Sequence, residues 1–209
     1  MRTNDSILAL VETGRSLFAR GYAFGTAGNL SCKVGDTVYA TPTGSSLGDL
    51  RPEDIAVCRL DGSVTAGGKP TKELSLHLAA YRTRSGCRAV VHLHSRYATA
   101  ASCLKNLNLE DALPIYTPYF AMRVPRLPVI PYYPPGDERL ATELAHHAEQ
   151  TPAMLMRNHG SVALGKTLLE ASALAEEIEE TARLLFLLGD RGQLLDTSEI
   201  AELRKMVRP

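Results

Sequence analysis

Residues 88–100 read "RAVVHLHSRYATA": an apolar run, Ala89-Val90-Val91, that enters two histidines separated by one leucine. A β-branched run of this length predicts a strand, and Ser95 stands where a following helix over "SRYATAASCL" would take its N-cap. In a strand, alternate side chains share a face, so His92 and His94 project together while Leu93 points the other way, into packing. Their Cα atoms then lie about 6.6 Å apart, a span that two imidazoles can close onto one cation. Alone, a His-x-His pair is a weak metal signal. It needs partners of the right type.

On the N-terminal side of this strand, "TKELSLHLAAYRTR" has helical spacing through Leu74, Leu78 and Tyr81. Before it, residues 25–46 and 55–68 set Gly-rich joints around short β-prone runs, with hairpin turns expected at Gly35-Asp36 and Asp61-Gly62. A helix opens the chain, capped at Asp5 or Ser6 and stopped at Gly21. On the C-terminal side, seven prolines between Pro114 and Pro135 read as a wandering surface segment. A helix follows from Asp137 to about Gln150. "PAMLMRNHGSVALG" then predicts a strand, a turn at Asn158-His159-Gly160 and a second strand. A long amphipathic helix from about Leu168 to Leu188 and a short terminal one complete the chain. Hairpins first and helices interleaved predict an α/β chain of the α+β type, with a central, mainly antiparallel sheet covered by helices. Without an internal repeat or a composition break, residues 1–209 read as one domain.

With 23 Lys+Arg against 23 Asp+Glu the formal net charge is zero, so no global field attracts nucleic acid or an anionic membrane. Any anionic ligand must be held by local groups. Four cysteines without a C-x-x-C pair predict buried, reduced thiols. The first residues, "MRTNDSILALVETGRSLFARG", have charges inside the apolar pattern and do not read as a signal peptide. No window approaches the roughly 18 apolar residues of a membrane span. A cytoplasmic protein is expected.

Two residues could complete a site with His92 and His94. His159 lies in a tight turn that would fix its ring, although a turn histidine can also cap its own backbone. Glu73 begins a helix, where a carboxylate also complements the dipole. Together, three imidazoles and a carboxylate make a zinc-type set with an open position. His77, four residues after Glu73, could orient that carboxylate, but packing is the simpler reading. His146-His147 and the run "EEIEE" (176–180) read as solvated helix faces, the latter with an i,i+4 pair to Arg183. Three loops, "GTAGN" (25–29), "TPTGSS" (41–46) and "KPTKE" (69–73), offer backbone N–H groups and hydroxyls to a phosphate. The last adds the Lys72 ammonium beside Glu73.

Gly28-Asn29, Thr43-Gly44, Thr71-Lys72-Glu73, His92-x-His94 and Asn158-His159-Gly160, in this order, resemble the class II aldolase/adducin family. The likeness runs from the first helix to the long one near Leu188. "GTAGNLS", "TPTGSSLG", "KPTKE", "VVHLHSRYAT" and "TPYFAMRVPRLPVIPYY" look most like its 3-oxo-tetronate 4-phosphate decarboxylase branch. The resemblance implies a nine-stranded-type antiparallel sheet with helices on both faces, and a homotetramer with sites at subunit interfaces. It also implies one divalent metal per subunit, usually Zn2+. Carried over by position, His92, His94 and His159 are metal ligands, and Glu73 is an acid/base that also ligates the ion. Gly28, Asn29, Thr43, Gly44, Ser45, Thr71 and Lys72 line the phosphate pocket. Aldolases of this family commonly have serine where this chain has Lys72. They also take a tyrosine from a neighbouring subunit; Tyr116 and Tyr119 both lie in that segment, and Tyr119 is counted with the substrate site. The implied reaction is decarboxylation of a small phosphorylated sugar acid through a zinc-stabilised enediolate. The alternatives are aldol cleavage or 4-epimerisation of fuculose- or ribulose-type phosphates and, from another class, a metal-free adducin-like binding module.

Overall fold

A computed structural model describes residues 3–207. The first two strands, β1 (Asn29–Val34) and β2 (Thr37–Ala40), close on Gly35-Asp36, with Val34 opposite Thr37. Gly35 takes φ 58°, a conformation glycine reaches without a Cβ penalty. The second hairpin pairs β3 (Ala56–Arg59) with β4 (Val64–Ala66) around Asp61-Gly62, where the Asp61 carboxylate accepts from the Ser63 N–H at 2.8 Å. Four more strands follow: β5 (Ala89–Leu93), β6 (Val129–Ile130), β7 (Ala153–Met156) and β8 (Gly160–Gly165). They form one sheet in the order β4-β3-β2-β1-β5-β8-β7-β6. Every pairing is antiparallel except β6 with β7. Among the described residues there are eight strands rather than nine. The segments around Pro42 and Pro70 add only an isolated bridge.

The described residues form seven α-helices: α1 (Thr3–Ala19), α2 (Leu74–Thr83), α3 (Arg96–Ser102), α4 (Pro118–Arg123), α5 (Glu138–Ala148), α6 (Leu168–Leu188) and α7 (Thr197–Met206). The central strand β5 shows how they divide. Ala89, Val91 and Leu93 enter one core with Leu10 of α1, Ala98 of α3 and Ile178 of α6. Val90 enters a second core with Leu76 and Tyr81 of α2 and Leu140 and Leu144 of α5. Both faces of β5 are buried, which is why its sequence is apolar throughout until the histidines.

Several expectations are corrected. The first helix already runs at Thr3, ahead of the predicted cap. The proline-rich stretch is not a surface wanderer: Phe120, Leu127 and Ile130 in it are buried. Thr117 caps α4 with Pro118 at its first turn, where a missing N–H costs nothing, and β6 sits at the sheet edge between Pro128 and Pro131. Cys32, Cys58 and Cys87 are buried free thiols, but Cys103 is exposed. Arg183 pairs with Glu180 at i,i+3, and Glu176 with Arg20 of α1.

Candidate active site

The β5 register puts His92 on the α2 side of the sheet, directly across from Asn29 of β1, with no solvent exposure. His94 follows at the strand's end. His159 occupies the turn between β7 and β8, where Asn158 takes φ 53°. Gly160 lets this turn pack on the β5 terminus, since a Cβ there would stand 2.2 Å from the Leu93 carbonyl oxygen. The three rings meet edge to face, with centroids 4.6 to 5.0 Å apart. Glu73, immediately before α2, closes the fourth side. Its Oε2 lies 3.2 Å from His92 Nε2 and its Oε1 3.4 Å from His159 Nε2.

These atoms fit a divalent cation. His92 Nδ1 stands 2.9 Å from the Ser161 carbonyl, which can only accept, so in the neutral ring the lone pair belongs to Nε2. That lone pair faces the Glu73 carboxylate and, at 2.9 Å, His94 Nε2. Acceptors crowded together in a buried space call for a positive charge between them. Ligands about 2.0 Å from a tetrahedral ion stand roughly 3.3 Å from one another, close to the spacings seen here. In addition, Glu73 Oε1 is buried without a hydrogen-bond partner. His92, His94 and His159 each offer one ligand atom, all within 4.8 Å of one another.

The electrostatics keep these groups in their ligating forms. Burial alone would raise the Glu73 carboxyl, but His92, the Asn29 amide and His159 outweigh it and hold it at about 2. Burial, then the neighbouring His92, pushes His94 down to about 3 and His159 to about 4. At neutral pH Glu73 is ionised and these two imidazoles are neutral.

The three anion-cradle loops converge on Glu73. Thr71 N–H donates to the Thr41 carbonyl at 3.0 Å and Thr43 N–H to the Lys69 carbonyl at 2.9 Å, which zips the second loop to the third. Thr71 Oγ1 accepts from the Glu73 N–H. Gly28, at φ 85°, lies against the His92 carbonyl, where a Cβ would approach to 3.0 Å. Asn29 Nδ2 donates to Glu73 Oε2 at 2.8 Å, while its Oδ1 accepts from His77. Lys72 and Gly44 are exposed beside them. The Ser45 hydroxyl donates to the Pro42 carbonyl at 2.8 Å. Tyr119 is not brought to the cluster. It sits on α4, which packs in the core on the sheet face opposite α2, and is 61% exposed. The Tyr116 ring is packed against Gly192.

Two residues that sequence reading set aside have defined work. His77 is wholly buried and hydrogen-bonded on both ring nitrogens rather than merely packed. Glu179, inside the acidic run read as solvated, accepts from the Tyr97 and Ala98 N–H groups and from the Ser95 hydroxyl. The E-x-x-x-H spacing pointed to the first. No local signal could reveal the second, whose partners lie more than 80 residues away.

The family model described as "Class II Aldolase and Adducin N-terminal domain" matches residues 8–186. The chain belongs to the class II aldolase and adducin family. It is 51% identical to a 3-oxo-tetronate 4-phosphate decarboxylase of Pectobacterium atrosepticum, over 93% of this chain and 90% of that one. An L-fuculose phosphate aldolase of Methanococcus maripaludis is more distant, 39% identical over 86% of this chain and 96% of its own. Among solved structures, YgbL of Escherichia coli, described as an aldolase/epimerase/decarboxylase, superposes with a TM-score of 0.94 at 46% identity, covering 96% of this chain and 98% of that one.

Proposed function

We propose that this chain is a metal-dependent carboxy-lyase that converts 3-oxo-tetronate 4-phosphate to dihydroxyacetone phosphate and CO2. The observation that carries the reading is the junction of His92, His94 and His159 with an ionised Glu73, beside loops rich in N–H and hydroxyl groups. It occurs in a chain half identical to a decarboxylase over nearly its full length. Three imidazoles and a carboxylate suit zinc. When bound, the ion would act as a Lewis acid, taking up the negative charge that departing CO2 leaves behind.

Glu73, ionised at rest, is placed to accept the proton of the substrate's 2-hydroxyl and return it to the carbon that CO2 leaves. Solvent then reprotonates the oxygen, so the reaction consumes one proton overall. Lys72 serves the phosphate. A cation paired instead with the departing carboxylate would stabilise the ground state, where its charge is greatest, and slow the reaction. Decarboxylation creates no aldehyde oxygen and so needs no tyrosine to protonate one. The aldolase and 4-epimerase reading rests on the fuculose phosphate aldolase relatives and the same metal set, and it requires such a tyrosine.

We read the chain as one domain that works in a cytoplasmic homotetramer, with sites completed between subunits. Two of its cavities, of about 760 and 710 Å3, lie away from this cluster, one against Arg84 and Arg204, the other against Glu12 and Cys32. No helix among the described residues is long and apolar enough to cross a membrane.

Incubating the metal-loaded protein with 3-oxo-tetronate 4-phosphate should release dihydroxyacetone phosphate and CO2 in equal amounts. Release of an aldehyde from fuculose or ribulose phosphates without CO2 formation would replace this reading with the aldolase. Lys72→Ser should raise KM for the phosphorylated substrate by roughly 10-fold, the loss of one charge-assisted contact, with kcat little changed. An unchanged KM removes Lys72 from the phosphate site.

A further inference from the structure

Behind Glu73 runs a buried file of polar groups that the reaction as described does not use. Tyr81 hydroxyl and Ser31 Oγ are 2.6 Å apart, and Ser31 Oγ and His77 Nδ1 are 2.7 Å apart. His77 Nε2 and Asn29 Oδ1 are separated by 2.6 Å, and Asn29 Nδ2 stands 2.8 Å from Glu73 Oε2. Two periodicities mesh to make it. Glu73, His77 and Tyr81 recur every fourth residue along α2, a rise of about 6 Å per step. Asn29 and Ser31 alternate along β1 at about 6.7 Å per step, so each strand residue falls between two helix residues.

The direction of every bond follows from the end that cannot vary. An ionised carboxylate only accepts, so the amide nitrogen of Asn29 must face Glu73 and its Oδ1 must face His77. His77 therefore holds its proton on Nε2, and Nδ1 accepts from the Ser31 hydroxyl. Ser31 has then spent its one hydrogen, and Tyr81 must donate to it. All four bonds point toward Glu73 Oε2. Burial, then His92, holds His77 down at about 3, and burial holds the Tyr81 phenol well above its usual range, so both stay neutral.

We infer that His77, acting through Asn29, is a positioning residue for Glu73: the one-way chain from Tyr81 fixes Oε2 as an acceptor and leaves Oε1 as the oxygen that exchanges the proton with substrate. Oε1 is the buried oxygen with no hydrogen bond of its own. The claim rests on the reading of Glu73 as acid/base, but not on which carbon–carbon bond is broken.

The test therefore uses two reactions of the metal-loaded enzyme. One is CO2 release from 3-oxo-tetronate 4-phosphate. The other is hydrogen–deuterium exchange at the carbon of dihydroxyacetone phosphate in D2O, which needs the acid/base alone. His77→Leu removes both the donor and the acceptor. It should slow exchange roughly 10- to 100-fold while KM stays within about threefold and bound metal per chain is unchanged. His77→Gln keeps one donor and one acceptor without titrating, and should recover the rate to within about fivefold. Ser31→Ala, a small truncation that leaves the His77 proton free to occupy either nitrogen, should slow exchange at least about fivefold in a folded chain. This variant decides the matter if His77→Leu does not fold.

An unimpaired His77→Leu or Ser31→Ala overturns the inference, as does a Gln variant as slow as the Leu variant with metal lost in parallel. A wild type that exchanges dihydroxyacetone phosphate but releases no CO2 sinks the proposed substrate and leaves the inference standing. A wild type that does neither sinks both.

Discussion

Glu73 occupies the N-cap position of α2, yet its side chain makes no capping bond; it turns instead to Asn29, His92 and His159. Replacing it separates two jobs. Glu73→Gln keeps the shape but cannot carry a proton between oxygen and carbon, so kcat should fall by roughly 10²- to 10⁴-fold. The three imidazoles remain, so metal content measured on the purified variant should stay near wild type. A kcat within about tenfold of wild type would remove Glu73 as the acid/base. At this scale the His-x-His pair was legible in the sequence because a strand's period of two is a strong rule, and Leu93 indeed points into the opposite core. Asn29 was only half legible. Its place in a Gly-Asn turn suggested an anion, but nothing local shows that one side of its amide holds Glu73 and the other His77.

Helix α3 begins two residues after His94, and what holds its end comes from elsewhere in the fold. Ser95 stands at the N-cap as the sequence predicts, but its hydroxyl caps nothing in its own helix. The Glu179 carboxylate of α6 takes the Ser95 hydroxyl at 2.7 Å, the Tyr97 N–H at 2.9 Å and the Ala98 N–H at 2.8 Å. A negative charge at a helix N-terminus is favourable, and these donors would otherwise go unpaired. Glu179→Ala should cost about 1–2 kcal/mol, the range for loss of an N-cap. Because His94 is anchored next to this end, metal affinity should weaken as well. A lowered Tm together with tighter metal requirements would bear this out, and a Tm equal to wild type would count against it. The same kind of limit hid β6: two residues between prolines are too short for any period, and the strand is defined by its parallel pairing with β7, flanked by the Leu155 N–H bond to the Pro128 carbonyl and the Arg157 N–H bond to the Ile130 carbonyl.

The molecule as a whole bears on assembly and on acid stability. Leu169 is 80% exposed, and Phe24, Tyr119 and Tyr132 are each more than half exposed, apolar surface that a homotetramer would cover. Four chains of 22.7 kDa give about 91 kDa, which sedimentation of the purified protein should return; a 22.7 kDa monomer would refute the assembly. The acid response turns on the buried file behind Glu73. His77 is held down at about 3 when folded, against about 6.5 in an unfolded chain. Between these values the unfolded state binds the extra proton, so protonation favours unfolding. The stability that neutral His77 contributes is thus complete above about pH 6.5. It is lost at about 1.4 kcal/mol per pH unit as pH falls toward 3, and below that the loss levels off. His94 and His159 are depressed in the same sense, so wild type alone cannot isolate one ring. His77→Gln does, since glutamine offers a donor and an acceptor but takes no proton. Urea unfolding of both proteins, each freed of metal, should give curves whose separation changes with pH: wild type loses more stability than the variant from pH 6.5 to 4, and the two run parallel above pH 7. Parallel curves throughout would mean that the folded protein does not hold His77 neutral, and the one-way chain to Glu73 would lose its central link.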